Sequence, residues 1–328
     1  MNYLVTGATS FLGAAVSREL LSRGHQVYAP VRKTSANLSA LPEDPCFHRI
    51  PVSMEEIGTL PAQGIPAPEV CIHFAWGGVG VRGRMDPGIQ EKNLAHTMEL
   101  IRTVADMGCR RFLFAGSQAE YGVTLERVRE GSMPAGPIPE TAECRPVSLY
   151  GQYKLRVMKE GGALAASLGM EYFHLRIFSV YGSGDHETSL VSSCVSAAAA
   201  GGTAELGPCA QQWNFLHVRD CAALIAALSE KSGDKVRSGA VSEDNTCPFV
   251  PEVYNIGSRD TRQLRDFAEE IFETAGRCGV RFLDRAAGPE GTPYLFPDIS
   301  RVTEATGLEP EIRFRDGILE MLSHRRSE

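Results

Sequence analysis

"YLVTGATSFLG", residues 3–13, carries a short apolar run into the start of a helical one. "YLVTG" reads as a strand, and "FLGAAVSRELLSRG" has helical spacing and ends on Gly24. Gly7 allows the tight turn between them, and Gly13 lets the helix pack closely on a sheet. The N–H groups that open such a helix have no intrahelical acceptor and can bind a pyrophosphate. The pattern Gly7-x-x-Ser10-x-x-Gly13 is therefore expected to be a dinucleotide loop.

The residues beyond it keep the same rhythm. "QVYAPVR", "EVCIHFAW", "RRFLFAGS" and "YFHLRIFSVYG" read as strands; "GIQEKNLAHTMELIRTVADMG" and a stretch starting near Ser148 read as helices. Strands alternating with helices predict an α/β fold, a doubly wound parallel Rossmann sheet whose ligands sit at the carboxyl ends of the strands. After residue 179 the rhythm breaks, which predicts a Rossmann domain over 1–178 and a smaller C-terminal α/β substrate region over 179–328. "FLHVRD" and "VYNIGS", near 214–220 and 252–258, are expected to return to the main domain, and "SEKSGDKVRSGAVSEDNTCPFVPE" to be a surface excursion.

Bulk properties exclude several classes. The 328 residues are 43% hydrophobic and 22% charged, enough for one large or two modest cores. The net charge of −7, with no Lys/Arg stripe, argues against nucleic acid as a partner. Nine cysteines with no C-x-x-C pair fit reduced thiols rather than disulfides or a metal centre. The bland run "SAAAAGG" is too short to span a bilayer, and no leader pattern precedes the first strand. A cytoplasmic location is expected.

The second strand is followed by Arg32 and Lys33 instead of an acid. A basic group there suits a ribose 2′-phosphate, so NADP is favoured, with NAD possible. In "LYGQYKL", Tyr150 and Lys154 stand four residues apart, on one helical face, whereas Tyr153 adjoins Lys154 and cannot share that face. An ammonium beside a tyrosine favours the phenolate and fits it to move a proton at neutral pH. Ser117 ends an apolar strand in "FLFAGSQAEYG", where its hydroxyl can hold a carbonyl oxygen.

"TGATSFLG", "HFAW", "GSQAEYG", "YGQYK", "RIFSVYG", "NFLHVRD", "YNIGS" and "PDISRVTEATGLEP" follow one another in this order and are spread over nearly the whole chain. The sequence resembles an extended short-chain dehydrogenase/reductase of the NAD-dependent epimerase/dehydratase family, a group acting on nucleotide sugars. The resemblance implies a catalytic set of Ser117, Tyr150 and Lys154, with Asn93 as a structural and proton-relay residue. It carries Gly7, Ser10 and Gly13 over as the phosphate loop, and cofactor contacts are expected from Gly7, Thr9, Ser10, Phe11, Leu12, Gly13, Arg32, Phe74 and Ala75, besides Tyr150 and Lys154. Substrate contacts are expected from Trp76, Arg82, Ser117, Gln118, Ser179 and Trp213, with no metal. Helices around 89–108 and 149–168 resemble those of a family homodimer interface.

The departures bear on chemistry. Ser10 replaces the usual middle glycine, "IPVSMEE" lacks the acid that often touches the adenine, and Ser179 replaces an asparagine. Trp213 stands where an arginine often binds a substrate diphosphate; Arg82, Arg84, Arg176 or Arg219 would have to compensate. Gln118 and Ala119 fill the positions of the dehydratases' acidic pair. These features together favour NADPH-dependent reduction of a 4-keto group on a nucleotide-linked 6-deoxysugar. The alternatives are an NAD(P)-dependent sugar-nucleotide 4-epimerase and, from another class, a non-catalytic NADP-binding sensor or scaffold.

Overall fold

The computed structural model describes residues 1–325 apart from 36, 135, 232–250 and 285–291, so most of the polar stretch expected to be a surface excursion lies outside the described residues. The chain opens with β1 (Asn2–Thr6), α1 (Phe11–Ser22), β2 (Gln26–Pro30), β3 (Phe47–Ile50) and β4 (Val70–His73). It continues through α2 (Pro87–Asp106), β5 (Arg111–Ser117), α3 (Leu125–Arg129) and α4 (Leu149–Arg156), and a π turn, Val157–Gly161, leads into α5 (Gly162–Ser167). Next come β6 (Glu171–Ile177), β7 (Ser179–Tyr181), α6 (Leu190–Ala199), β8 (Ala204–Leu206), β9 (Gln212–His217) and α7 (Val218–Glu230). The last elements are β10 (Glu252–Ile256), β11 (Thr261–Gln263), α8 (Leu264–Thr274), β12 (Val280–Phe282), α9 (Ser300–Thr306) and α10 (Phe314–Arg325).

Seven strands form one sheet in the order β10-β6-β5-β4-β1-β2-β3. β1 pairs in parallel with β2 and β4, β2 with β3, and β4 with β5. Every residue of β4 and β5 is buried, as expected of parallel strands covered on both faces. The strand order reverses between β1 and β4, and a doubly wound sheet opens a ligand crevice at the carboxyl ends beside such a reversal. Side chains place the helix starts: Ser10 caps α1, Asp86 with Pro87 starts α2, and Ser148 caps α4.

Contacts divide the chain into two compact units, neither of them continuous. The first holds Met1–Glu120, Pro146–Arg176 and Ala222–Tyr254; the second holds Tyr121–Arg145, Ile177–Cys221 and Asn255–Glu328. The first unit has a core of Leu4, Cys71, Leu94, Ile101, Phe112 and Phe114 with their neighbours, each large apolar side chain contributing about 1.5–3 kcal/mol. In the second, β9 pairs in parallel with β7 and antiparallel with β11, and β12 pairs with β8. Its core gathers Tyr181, Phe215, Phe267, Ile271, Phe314 and Ile318.

The segment near 214–220 therefore does not rejoin the main sheet: its strand residues belong to β9, in the small sheet. Apolar alternation identified a strand but carried no information about which sheet would take it. β10, by contrast, is the edge strand beside β6. Among the described residues no helix is long and apolar enough to cross a membrane, and no group of three His, Cys, Asp or Glu residues could hold a metal.

Candidate active site

The loop after β1 is a cradle closed by backbone. Gly7 has φ +70°, and a Cβ there would meet Ala75 N at 2.7 Å and Phe74 C at 2.9 Å. A Cβ on Gly13 would lie 2.2 Å from Gly7 O. Phe74 and Ala75 thus border the cradle. Ser10 is the N-cap: its Oγ accepts from Gly13 N at 3.1 Å, and its own N–H donates to Gly7 O at 2.8 Å. The serine that replaces a glycine is therefore used to start the helix. Thr9, Phe11 and Leu12 lie in the same turn and the first turn of α1, where the helix dipole favours an anion. Beneath it, Thr6 Oγ1 and Thr97 Oγ1 hold the buried His73 ring at 2.6 and 2.9 Å. Burial pushes the His73 pKa down to about 3, so the ring is neutral.

Arg32 and Lys33 line a cleft of about 330 Å³ with Ser53, Glu55 and Glu56. The two carboxylates were not anticipated there. They follow β3, and Ser53 caps the turn that carries them. The Glu55 carboxyl is held below its ordinary pKa by its own backbone N–H first, then by Ser53, His96 and Arg32, which outweigh burial. The cleft is thus of mixed charge.

At the carboxyl end of β5 the three expected residues come into one unit. Ser117 is buried, and its Oγ accepts from Ala119 N at 3.2 Å. The turn it begins packs on α4, where a Cβ on Gly151 would meet Ala119 O at 2.6 Å. Tyr150 and Lys154 share a face of α4, with Lys154 Nζ 5.6 Å from the Tyr150 ring centre. Lys154 is 3% exposed; its Nζ donates to Ala115 O at 2.5 Å and stands 4.1 Å from the Trp76 ring. Burial pulls its pKa down to about 7, against the opposing charge of Glu120. Tyr153 points elsewhere: its hydroxyl donates to Glu91 of α2 at 2.6 Å, with the Arg156 guanidinium over its ring.

The loop after β4 completes this end. Asn93 braces it from both sides, its Oδ1 accepting from Gly77 N and its Nδ2 donating to Gly77 O, each at 2.9 Å. Trp76 Nε1 donates to the buried Gln90, which in turn holds Gly83 O at 2.8 Å. Arg84 comes to rest over the Tyr150 ring at 4.3 Å, whereas Arg82 is exposed and caps the same short turn. Gln118 is half-buried in the turn after Ser117.

Ser179 and Trp213 lie in the second unit, on β7 and β9, and line a cavity of about 320 Å³ there with Asp185, Ser189, Phe215 and Leu264. None of its lining residues is Lys or Arg. Arg262, opposite Trp213 on β11, is bound by Asp260 and Glu270 and lies over the Phe267 ring. Arg219 pairs with Glu320 at 2.6 Å, and Arg176 is buried against Glu120. Of the four arginines proposed to replace the missing one, these two already have carboxylate partners.

The NAD dependent epimerase/dehydratase family model matches residues 3–257. The UDP-glucose 4-epimerase of Streptomyces lividans is 28% identical over 179 residues, 53% of this chain and 52% of that protein. The chain thus matches about half the length of that relative. The probable UDP-glucuronate 4-epimerase of Rhizobium meliloti is 22% identical over a 335-residue alignment covering 97% of this chain and 95% of that one. Among solved structures, the UDP-glucuronic acid 4-epimerase of Bacillus cereus, in complex with UDP-glucuronic acid and NAD, has a TM-score of 0.79 at 19% identity, covering 100% of this chain and 99% of the other. With the family pattern spanning the glycine loop, Ser117, Tyr150 and Lys154, this chain belongs to the NAD dependent epimerase/dehydratase family.

Proposed function

We propose that the protein is an NAD(P)-dependent 4-epimerase of a nucleotide sugar. The observation that carries this reading is the Tyr150–Lys154 pair on α4, beside the turn begun by Ser117. The cradle at Gly7 and Gly13 fits a dinucleotide pyrophosphate, because any side chain at either glycine would fill it. A bound nicotinamide supplies the acceptor and donor of the hydride. Tyr150, as phenolate, takes the proton from the C4 hydroxyl and later returns it. The Lys154 ammonium and the Arg84 guanidinium, both near its ring, favour that phenolate. The Ser117 hydroxyl holds the C4 oxygen. Gln118 and Ala119 offer no acid for elimination, so the machinery handles one hydride and one proton.

This differs from the one-way reduction that the sequence alone favours. Machinery for one hydride and one proton serves both reactions, and the relative named above that matches along its full length is a probable UDP-glucuronate 4-epimerase. The test is to incubate the purified protein with UDP-glucose, UDP-glucuronic acid and UDP-N-acetylglucosamine and to follow products by NMR. A 4-epimer formed with no net change in reduced cofactor supports the reading. One-for-one consumption of NADPH by a 4-keto-6-deoxy nucleotide sugar, without interconversion, would replace it with the reductase.

The reductase keeps one observation in its favour: Arg32 and Lys33 in the cleft after β2, where a 2′-phosphate would sit. A charge-assisted contact from Arg32 contributes about 1.5–3 kcal/mol. Arg32→Ala should therefore weaken NADP binding by about tenfold or more and leave NAD almost unchanged. Calorimetric titration of both cofactors checks this, and equal wild-type affinity for the two would refute the phosphate contact. A homodimer built on the α2 and α4–α5 faces is also proposed; light scattering tests it. Part of those faces is already used within the chain, where Glu91 meets Tyr153 and Arg156.

A further inference from the structure

Glu120 ends the short turn after β5, three positions beyond Ser117. An acid is out of place between Phe112 and Gly122, and its side chain is completely buried. A lone carboxylate in such surroundings would take up a proton. Here it is surrounded by donors. Its Oε1 accepts from Ser117 N–H at 2.7 Å, and its Oε2 from Arg176 Nε at 3.1 Å. His174 Nε2 lies 2.9 Å from both oxygens, and the Tyr172 hydroxyl is 3.0 Å from the other ring nitrogen. Burial pushes the Glu120 pKa up, but His174, Arg176 and the Ser117 N–H outweigh it and hold the group ionised. The arrangement also accounts for Gly116, where a Cβ would sit 2.4 Å from His174 Nε2 and 2.7 Å from Glu120 Oε1.

Lys154 grips the same strand end two residues earlier, at Ala115 O. Among the described residues no carboxylate lies within ion-pair distance of it, although it is almost fully buried. The groups around it come from several neighbouring elements, while α2, which also packs on α4, directs its Glu91 to Tyr153 and Arg156. β4 contributes His73, made neutral by burial, and β6 contributes His174, also depressed by burial, and Arg176. Its own helix contributes Tyr150, over which Arg84 lies. Glu120 is the negative charge in this set, and it acts on Lys154 in the direction of the ammonium form.

We infer that Glu120 is a positioning residue for the proton-transfer site: it fixes the turn that carries Ser117 and supplies the negative charge that keeps Lys154 protonated beside Tyr150. The inference rests on the roles proposed above for Lys154 and Tyr150. It adds a residue with no contact to the reacting atoms, acting through Ser117 and Lys154.

The chain has six lysines, so selective ¹³Cε-lysine labelling of the full chain gives a simple NMR spectrum, in which Lys154→Met identifies the Lys154 signal. The wild-type signal should titrate near 7 or above. In Glu120→Gln the midpoint should fall by about one unit or more, the size of effect expected from losing a nearby opposite charge. Glu120→Asp, which keeps the charge, should restore most of it. An unchanged midpoint in folded Glu120→Gln overturns the inference, because a merely structural glutamate would alter stability without moving Lys154. If that variant fails to fold, a wild-type midpoint far below 7 overturns it. The titration needs no substrate. A wild type that moves its Lys154 midpoint as stated but interconverts no sugar nucleotide would refute the proposed function and leave the role of Glu120 intact.

Discussion

Tyr150→Phe is expected to lower turnover by about 10² or more, the range of losing a general acid–base group. The phenol oxygen is what moves the proton, and the phenyl ring that remains preserves the contacts with Arg84 and Trp76. Circular dichroism and cofactor affinity should stay close to wild type. Tyr153→Phe is the control: its hydroxyl bonds Glu91 on the protein surface, and its loss should change turnover less than about twofold, as surface substitutions generally do. An active Tyr150→Phe protein beside an inactive Tyr153→Phe protein would reverse the assignment.

Gly13→Ala should be the most damaging change outside the proton-transfer site. The added methyl would lie 2.2 Å from Gly7 O and 3.0 Å from Ala8 Cα, and both are backbone atoms that no rotamer change can move. Relief requires α1 to back away from the end of β1, taking its first N–H groups with it. Overpacking of this kind costs about 1–3 kcal/mol of stability. Dinucleotide affinity should fall by at least about tenfold, since the helix terminus is the anion site. Urea denaturation and calorimetry measure the two effects. Affinity within twofold of wild type would show that the pyrophosphate is held elsewhere.

What could be read from sequence was local. Gly7 and Gly13 meet within one turn, so spacing alone revealed the cradle. Tyr150 and Lys154 are related by helix geometry, which needs no knowledge of the rest of the chain. The parallel sheet followed from the alternation of apolar runs with helical ones. What escaped was set by tertiary pairing. Glu55 and Glu56 reach the Arg32 cleft because β3 lies beside β2. Arg84 reaches Tyr150 through a glycine-rich loop held by Gln90 and Asn93, and no periodicity encodes such a path. β9 looked like any other strand, and only its partners β7 and β11 show which sheet it joins. Glu120 left one sign in the sequence, an acid inside an apolar stretch, but its partners His174 and Arg176 lie more than fifty residues away.

The most direct test of 4-epimerisation follows the hydrogen on C4. UDP-glucose deuterated at C4, and likewise the corresponding UDP-glucuronic acid and UDP-N-acetylglucosamine, would be incubated with the protein and its cofactor and analysed by NMR and mass spectrometry. If Tyr150 moves only the hydroxyl proton and the hydride returns to the same carbon, the 4-epimer retains deuterium at C4 and the amount of reduced cofactor does not change. Loss of the label to solvent, or no 4-epimer from any of the three sugars, would contradict the account.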